Sequence, residues 1–108
     1  MTFPPDRRFE LRSPTNERGL VLAPGFETPC VLVDRSAQGG RIRLDRDLLL
    51  PKAVVVIDID QGLAIEAQVA WQKGLEAGLK RVGQASLRGL VPSRLSDARA
   101  AWIRAGGR

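Results

Sequence analysis

The sequence predicts a mainly β protein, a small antiparallel barrel or sandwich that ends in one α-helix. Several short runs of apolar or alternating residues follow one another, and turn residues separate them about every eight to twelve positions. After Pro92 the apolar spacing changes to that of a helix. The 108 residues suffice for one domain with its own core, and since only 5% are aromatic, aliphatic side chains must fill that core.

The N-terminal end of the sequence differs from the rest. The first 19 residues carry proline at three positions and show no sustained apolar period. Such a composition is typical of an exposed connecting segment. We therefore predict an N-terminal arm over residues 1–18 and place the folded domain, barrel and helix together, in residues 19–108.

Three short strands are predicted in the first half of the domain. The first, residues 19–23, is apolar and ends at a Pro-Gly turn signal. The second, residues 30–33, is apolar and is followed by a polar turn over residues 34–40. The third, residues 41–44, alternates arginine with aliphatic residues, so that one face is polar and the other is apolar.

The middle of the chain contains the clearest predicted hairpin. Aliphatic residues alternate through residues 54–60, and the turn residues 60–62 follow them. The returning strand, residues 63–72, carries five apolar residues at period two, which predicts a half-buried strand. We expect residues 74–78 to form a loop and residues 79–82 to form a final short strand.

A C-terminal helix is predicted after Pro92. Ser93 or Ser96 can cap its start, and the helix should run to about Ala105, where two glycines end it. Four apolar residues share one helical face: Leu95, Ala98, Trp102 and Ala105. We expect this face to pack on the barrel, with contact to anionic lipid, an acidic partner or a second copy in a homodimer as the alternatives.

Composition excludes several classes of chemistry. With no histidine and one cysteine, the chain cannot form a disulfide framework, a Cys/His zinc site, or a Ser-His or Cys-His catalytic pair. We therefore expect a binding protein rather than an enzyme, with no metal and no cofactor.

No segment of the sequence predicts a membrane span or an export signal. The longest apolar run, residues 53–57, is far shorter than the roughly 18 residues that a spanning helix needs. Pro4 and Pro5 interrupt the N-terminus where the apolar part of a signal peptide would lie. The lone Cys30 is compatible with a reducing compartment, and we expect a cytoplasmic protein.

The positive charge is unevenly distributed along the chain. The formal net charge is +5, and residues 73–108 alone carry eight basic and two acidic side chains. A positive field of this kind favours anionic partners, although it does not identify them.

Two short motifs carry most of the functional information. Arg8 and Arg12 form R-x-x-x-R, which taken alone fits a solvated basic arm. Asp34, Ser36 and Gly39 form D-x-S-x-x-G, which taken alone fits a turn, because Asp and Ser side chains bond nearby backbone amides. The 22 positions from Arg12 to Asp34 leave room for one strand and its return. The two motifs together, in this order, are more informative than either alone.

In this order and context, the two motifs resemble those of the PilZ domain, a bacterial receptor for the second messenger cyclic di-GMP. The similarity extends from about Asp6 to Val82. It implies a small six-stranded antiparallel β-barrel with a C-terminal α-helix, in agreement with the strands predicted from the residues themselves. It also implies that the ligand is cyclic di-GMP.

The resemblance further implies which residues bind the ligand. Arginine suits a molecule with two phosphates and two guanines, because its planar fork donates paired hydrogen bonds to phosphate oxygens or to a guanine edge. The arm would supply the arginines, and the turn would supply a carboxylate, a hydroxyl and small residues. The implied binding residues are Arg7, Arg8, Arg12, Asp34, Arg35, Ser36, Gly39 and Gly40.

Two stretches depart from the family pattern. Arg35 stands between the two polar residues of the turn motif, where the family usually has an apolar side chain. We expect Arg35 to be a further phosphate contact, with an altered turn as the alternative. The residues after Leu79, Lys80-Arg81-Val82, lack the aromatic side chain that is common there, which leaves the ligand motif untouched.

We expect a receptor that orders its arm on binding cyclic di-GMP and relays the signal by conformational change to an unidentified protein partner. Two other functions stay open: a degenerate PilZ-like adaptor that binds only proteins, and a basic barrel that binds nucleic acid. Base stacking on a nucleic-acid platform needs exposed aromatic residues. The chain has no tyrosine, and we expect Trp71 in the core, so binding of DNA or RNA is not expected.

Overall fold

The structure is a computed structural model that describes residues 13–36 and 38–107, with side chains from Asn16 onwards. Its six strands are β1 (Ser13–Ala23), β2 (Phe26–Arg35), β3 (Gly39–Leu44), β4 (Ala53–Asp58), β5 (Leu63–Lys73) and β6 (Glu76–Ser86). A short 3-10 turn (Ser93–Leu95) leads into one α-helix, α1 (Ser96–Arg104). No helix in these ranges is long and apolar enough to cross a membrane.

The six strands form a closed antiparallel barrel in the order β1-β2-β3-β6-β5-β4. Pairing of β1 with β4 closes the sheet, with Gly19 opposite Asp58 and Leu22 opposite Val55. The predicted six-stranded barrel with a C-terminal helix is therefore confirmed, and the alternative of a sandwich is not.

The apolar side chains form two clusters that lie at different levels of the molecule. The first fills the barrel and includes Val21, Ile42, Leu44 and Val56. It also contains Cys30, whose thiol pKa is raised to about 12 by burial and, secondarily, by the nearby Asp45 carboxylate. This thiol therefore stays protonated and serves as a small apolar group.

The second cluster joins the barrel to α1 and confirms that the helix packs on its own domain. Leu95 and Trp102 are buried against Ile57 and Ala64. The Trp102 indole N–H also donates a hydrogen bond of 2.8 Å to the backbone carbonyl of Ile59.

The start of α1 differs from the predicted serine cap. Ser93 begins the 3-10 turn, Ser96 begins the helix, and neither start is capped by a side-chain hydrogen bond. The helix depends instead on its buried face and on two exposed ion pairs with the barrel. Arg94 Nε lies 3.1 Å from Glu66 Oε2, and Arg104 Nη2 lies 2.7 Å from Glu27 Oε1. The hydrogen bond from Arg94 lowers the pKa of Glu66.

Three strands are much longer than predicted, and β2, predicted over residues 30–33, spans Phe26–Arg35. β1 begins at Ser13, so residues 13–18 belong to the barrel and not to the arm. A register shift between Pro14 and Glu17, with Asn16 at φ 57°, interrupts the alternation by which a strand is recognised in a sequence. β6 runs from Glu76 to Ser86, since its exposed residues pair along the whole of β5.

The expectation that Trp71 lies in the core is wrong, because this side chain is 47% exposed. The register of β5 against β6 shifts between Val69 and Trp71, which leaves one extra residue and reverses the alternation. The indole lies instead on Gly78 of β6, where a Cβ would overlap its ring.

Candidate functional site

The D-x-S-x-x-G motif forms the tight connection between β2 and β3, which we call the motif turn (residues 34–40). The Ser36 backbone N–H donates a hydrogen bond of 2.7 Å to the Gly39 carbonyl. The Ser36 hydroxyl lies 3.5 Å from the same carbonyl oxygen. Arg35 and Gly40 form the pair of β2 and β3 residues that is closest to the turn. Residue 37 lies outside the described residues.

The motif turn forms one wall of a pocket at the end of the barrel, which we call the rim pocket. Six polar side chains contribute to its lining: Asp34, Arg35, Ser36, Arg41, Arg81 and Gln84. Its floor is apolar and includes Leu32, Ile42 and Val56 of the barrel. Polar groups over an apolar floor are typical of a small-molecule site.

Asp34 is held by a basic neighbour from the next strand. Its side chain is 12% exposed, and its Oδ2 atom lies 3.4 Å from Nη2 of Arg41. Nη1 of Arg41 also lies 3.7 Å from Glu76 Oε1 on β6. The carboxylate of Asp34 can accept hydrogen bonds from amino and ring N–H groups, such as those on the Watson–Crick edge of guanine.

Arg81 and Gln84 are residues of this site that sequence analysis did not identify. The Arg81 backbone N–H donates to the Gln38 carbonyl at 2.7 Å, and this bond brings β6 against the motif turn. Arg81 Nη1 donates to Gln84 Oε1 at 3.0 Å on the exposed side of the strand. The only available signal was the basic pair Lys80-Arg81, and the predicted short strand gave no reason to place it beside the turn.

Arg35, the predicted phosphate contact, lines the rim pocket and also forms ion pairs with carboxylates on other strands. Its Nη2 atom forms an ion pair with Oδ2 of Asp58, whose side chain is fully buried. The same Nη2 atom lies 3.5 Å from Oε1 of Glu17 on β1. Two carboxylates on other strands therefore engage the guanidinium of Arg35.

The glycines of the motif turn allow close approach between backbones. A Cβ on Gly39 would overlap the Leu79 carbonyl oxygen of β6, and one on Gly40 would lie 2.6 Å from the Asp34 carbonyl oxygen. Any larger residue at either position would have to displace main-chain atoms. Packing against β6 therefore accounts for Gly39, and packing within the β2–β3 hairpin accounts for Gly40.

The predicted arm residues Arg7, Arg8 and Arg12 lie outside the described residues. The structure does show where the chain that carries them joins the barrel. Ser13, the first residue of β1, pairs with Arg35 in the middle of the turn motif. Consecutive Cα atoms are about 3.8 Å apart, so the arm is attached beside the motif turn.

A second and larger groove lies between α1 and the barrel. Its volume is about 810 Å³, and its walls include Phe26, Val54 and Leu95. The charged residues along it include the Glu66–Arg94 and Glu27–Arg104 pairs described above. The sequence motifs do not contribute to this groove.

Comparison with known proteins identifies the family of the chain. The chain matches the family model of the PilZ domain over residues 6–91. No curated protein and no solved structure matches it. PilZ domains are binding and receptor domains, generally not enzymes, and the match supports a role in cyclic di-GMP binding or as an adaptor. Because the match covers most of the chain and includes both motifs, the chain belongs to the PilZ domain family.

Proposed function

We propose that this chain is a receptor for cyclic di-GMP that binds the dinucleotide between its N-terminal arm and the motif turn. The observation that carries the proposal is the pairing of Ser13 with Arg35. This pairing puts Ser13, the residue directly after the R-x-x-x-R segment, beside the D-x-S-x-x-G segment, which supports a ligand that contacts both.

The chemistry of the two segments fits the two halves of the ligand. Arg8 and Arg12, with Arg7 beside them, would bind phosphate oxygens and a guanine edge through paired N–H groups. Asp34 would accept hydrogen bonds from the amino and ring N–H groups of a guanine, and Ser36 would add its hydroxyl. Such hydrogen bonds between ligand and charged side chains each contribute about 1.5–3 kcal/mol.

The barrel itself contributes positive charge to this site. Three arginines, Arg35, Arg41 and Arg81, line the rim pocket together with the carboxylate of Asp34. We propose that Arg81 contacts a ligand phosphate from the barrel side, opposite the arm. Arg35 also lines the rim pocket, but its guanidinium is engaged by Asp58 and Glu17, so we do not propose it as a direct ligand contact.

The direct test is a calorimetric titration of the chain with cyclic di-GMP. We expect binding by the unmodified chain, and an affinity at least about tenfold lower for Asp34→Asn, because the amide loses the charge and one acceptor. Asp97→Asn, an exposed position on α1, is the matched control and should bind normally. Absence of binding by the unmodified chain would contradict the receptor and favour the adaptor. Binding of single-stranded oligonucleotide with a steep salt dependence would indicate the nucleic-acid class.

The proposed output is a change in the surface that a protein partner contacts, without any chemical reaction. A bound dinucleotide would hold the arm against the end of the barrel and so present a new surface there. We expect slower amide hydrogen exchange in residues 5–15 when cyclic di-GMP is added. If binding is detected by calorimetry and exchange in this segment is unchanged, the relay through the arm is wrong.

A further inference from the structure

Arg35, which stands between Asp34 and Ser36 in the motif turn, contacts different strands from Asp34. Asp34 contacts Arg41 on β3. Arg35 instead reaches across β1, where it contacts Glu17, to Asp58 on β4. The motif turn is therefore connected on one side to β3 and on the other side to β1 and β4.

The contact with Asp58 constrains Arg35 strongly. The Asp58 side chain is fully buried, and its Oδ1 atom accepts a hydrogen bond of 3.1 Å from the Gln61 backbone N–H. Its other oxygen, Oδ2, contacts Arg35. Because a buried carboxylate is costly without a cationic partner, any movement of the guanidinium away from Asp58 is opposed.

We infer that Arg35 is a positioning residue of the cyclic di-GMP site, held by Asp58 and Glu17 so that Asp34 and Ser36 stay directed at the rim pocket. This inference rests on the proposed function for its effect on affinity. It differs from a direct phosphate contact by Arg35, which would not depend on Asp58. It also assigns a role to Asp58, which lies 24 positions away from Asp34 in the sequence and is far from either motif.

The test compares the Kd for cyclic di-GMP of the unmodified chain, Arg35→Gln, Asp58→Asn and the double variant. We expect each single variant to raise Kd by about tenfold. The Kd of the double variant should not exceed the larger of the two single-variant values, because the two residues act as a unit. If Arg35 contacts the ligand directly, Asp58→Asn will leave Kd unchanged or lower it, and the inference is overturned.

A matched control separates positioning from a general loss of stability. Arg94→Gln removes an arginine of the same ion-paired kind, at the Glu66 contact away from the motif turn. It should leave Kd unchanged. Glu17→Gln, at a partly exposed position, is the substitute if Asp58→Asn does not fold, and we expect it to raise Kd by a smaller factor.

A second measurement does not require ligand. The Ser36 N–H donates to the Gly39 carbonyl within the motif turn, so its hydrogen exchange reports the geometry of the turn. We expect exchange at Ser36 to be several-fold faster in Arg35→Gln and Asp58→Asn, and unchanged in Arg94→Gln. If the unmodified chain does not bind cyclic di-GMP, the proposed function fails, and unchanged exchange at Ser36 would separately overturn the positioning role.

Discussion

Replacing Arg8 and Arg12 together by alanine is expected to remove detectable binding of cyclic di-GMP, with affinity reduced at least 100-fold. Each guanidinium would lose charge-assisted hydrogen bonds worth about 1.5–3 kcal/mol, and the two losses together correspond to roughly two to four factors of ten. Calorimetry at 25 °C measures this directly. The effect is expected to exceed that of Asp34→Asn, because two cationic forks are lost and not one acceptor.

The matched control for this variant removes the same formal charge elsewhere. Arg43→Ala with Arg46→Ala changes two exposed arginines of β3 and the loop after it, which pair only at 3.6 Å with Glu76 and 3.9 Å with Asp45. If the control weakens binding as much as the arm variant does, the arm supplies only long-range attraction. In that case the assignment of Arg8 and Arg12 as ligand contacts is incorrect.

Trp102→Ala is expected to cause the largest loss of folding stability, about 3–5 kcal/mol in the free energy of unfolding. The side chain is 2% exposed, and it packs between α1 and the barrel. Its removal leaves a cavity and also leaves the Ile59 carbonyl without the indole donor. Equilibrium unfolding in urea measures the change.

The chain contains a natural control for this prediction in its other tryptophan. Trp71 is 47% exposed and lies on Gly78 at the outer surface of the barrel. Trp71→Ala should cost about 1 kcal/mol, because less apolar surface is returned to water. Equal losses in the two variants would show that α1 contributes little to the stability of the domain.

The sequence predicted antiparallel strands because alternation at period two is a local property, and the choice of a barrel over a sandwich came from the family resemblance. This alternation identified the strand at residues 41–44 and the hairpin at residues 54–72. The short turns between successive strands then favoured antiparallel pairing. The parts that it missed are those where a bulge shifts the alternation. The irregularity at Asn16 interrupts the alternation at the start of β1, so this part of the strand was not predicted. The extra residue before Trp71 reverses the alternation in β5 and puts that side chain on the surface.

The candidate site was predicted only in part, for a related reason. The motif residues Asp34 and Ser36 could be named because they lie close together in the sequence. Arg81 reaches the rim pocket through pairing of β6 with the motif turn, which no local pattern contains. Asp58 could not be connected with Arg35 either, since an aspartate at the end of a strand is ordinarily solvated, and its burial depends on closure of the barrel.

Closure also restricts how another protein could recognise this domain. In the part of the chain that the structure describes, every strand pairs with a neighbour on both sides along part of its length, so no strand is open along a whole edge. A strand added by another protein would find only the short segments that pair on one side, such as residues 81–86 of β6. On the proposed function, a partner would therefore distinguish the empty domain from the ligand-bound one mainly by side chains, loops or the helix.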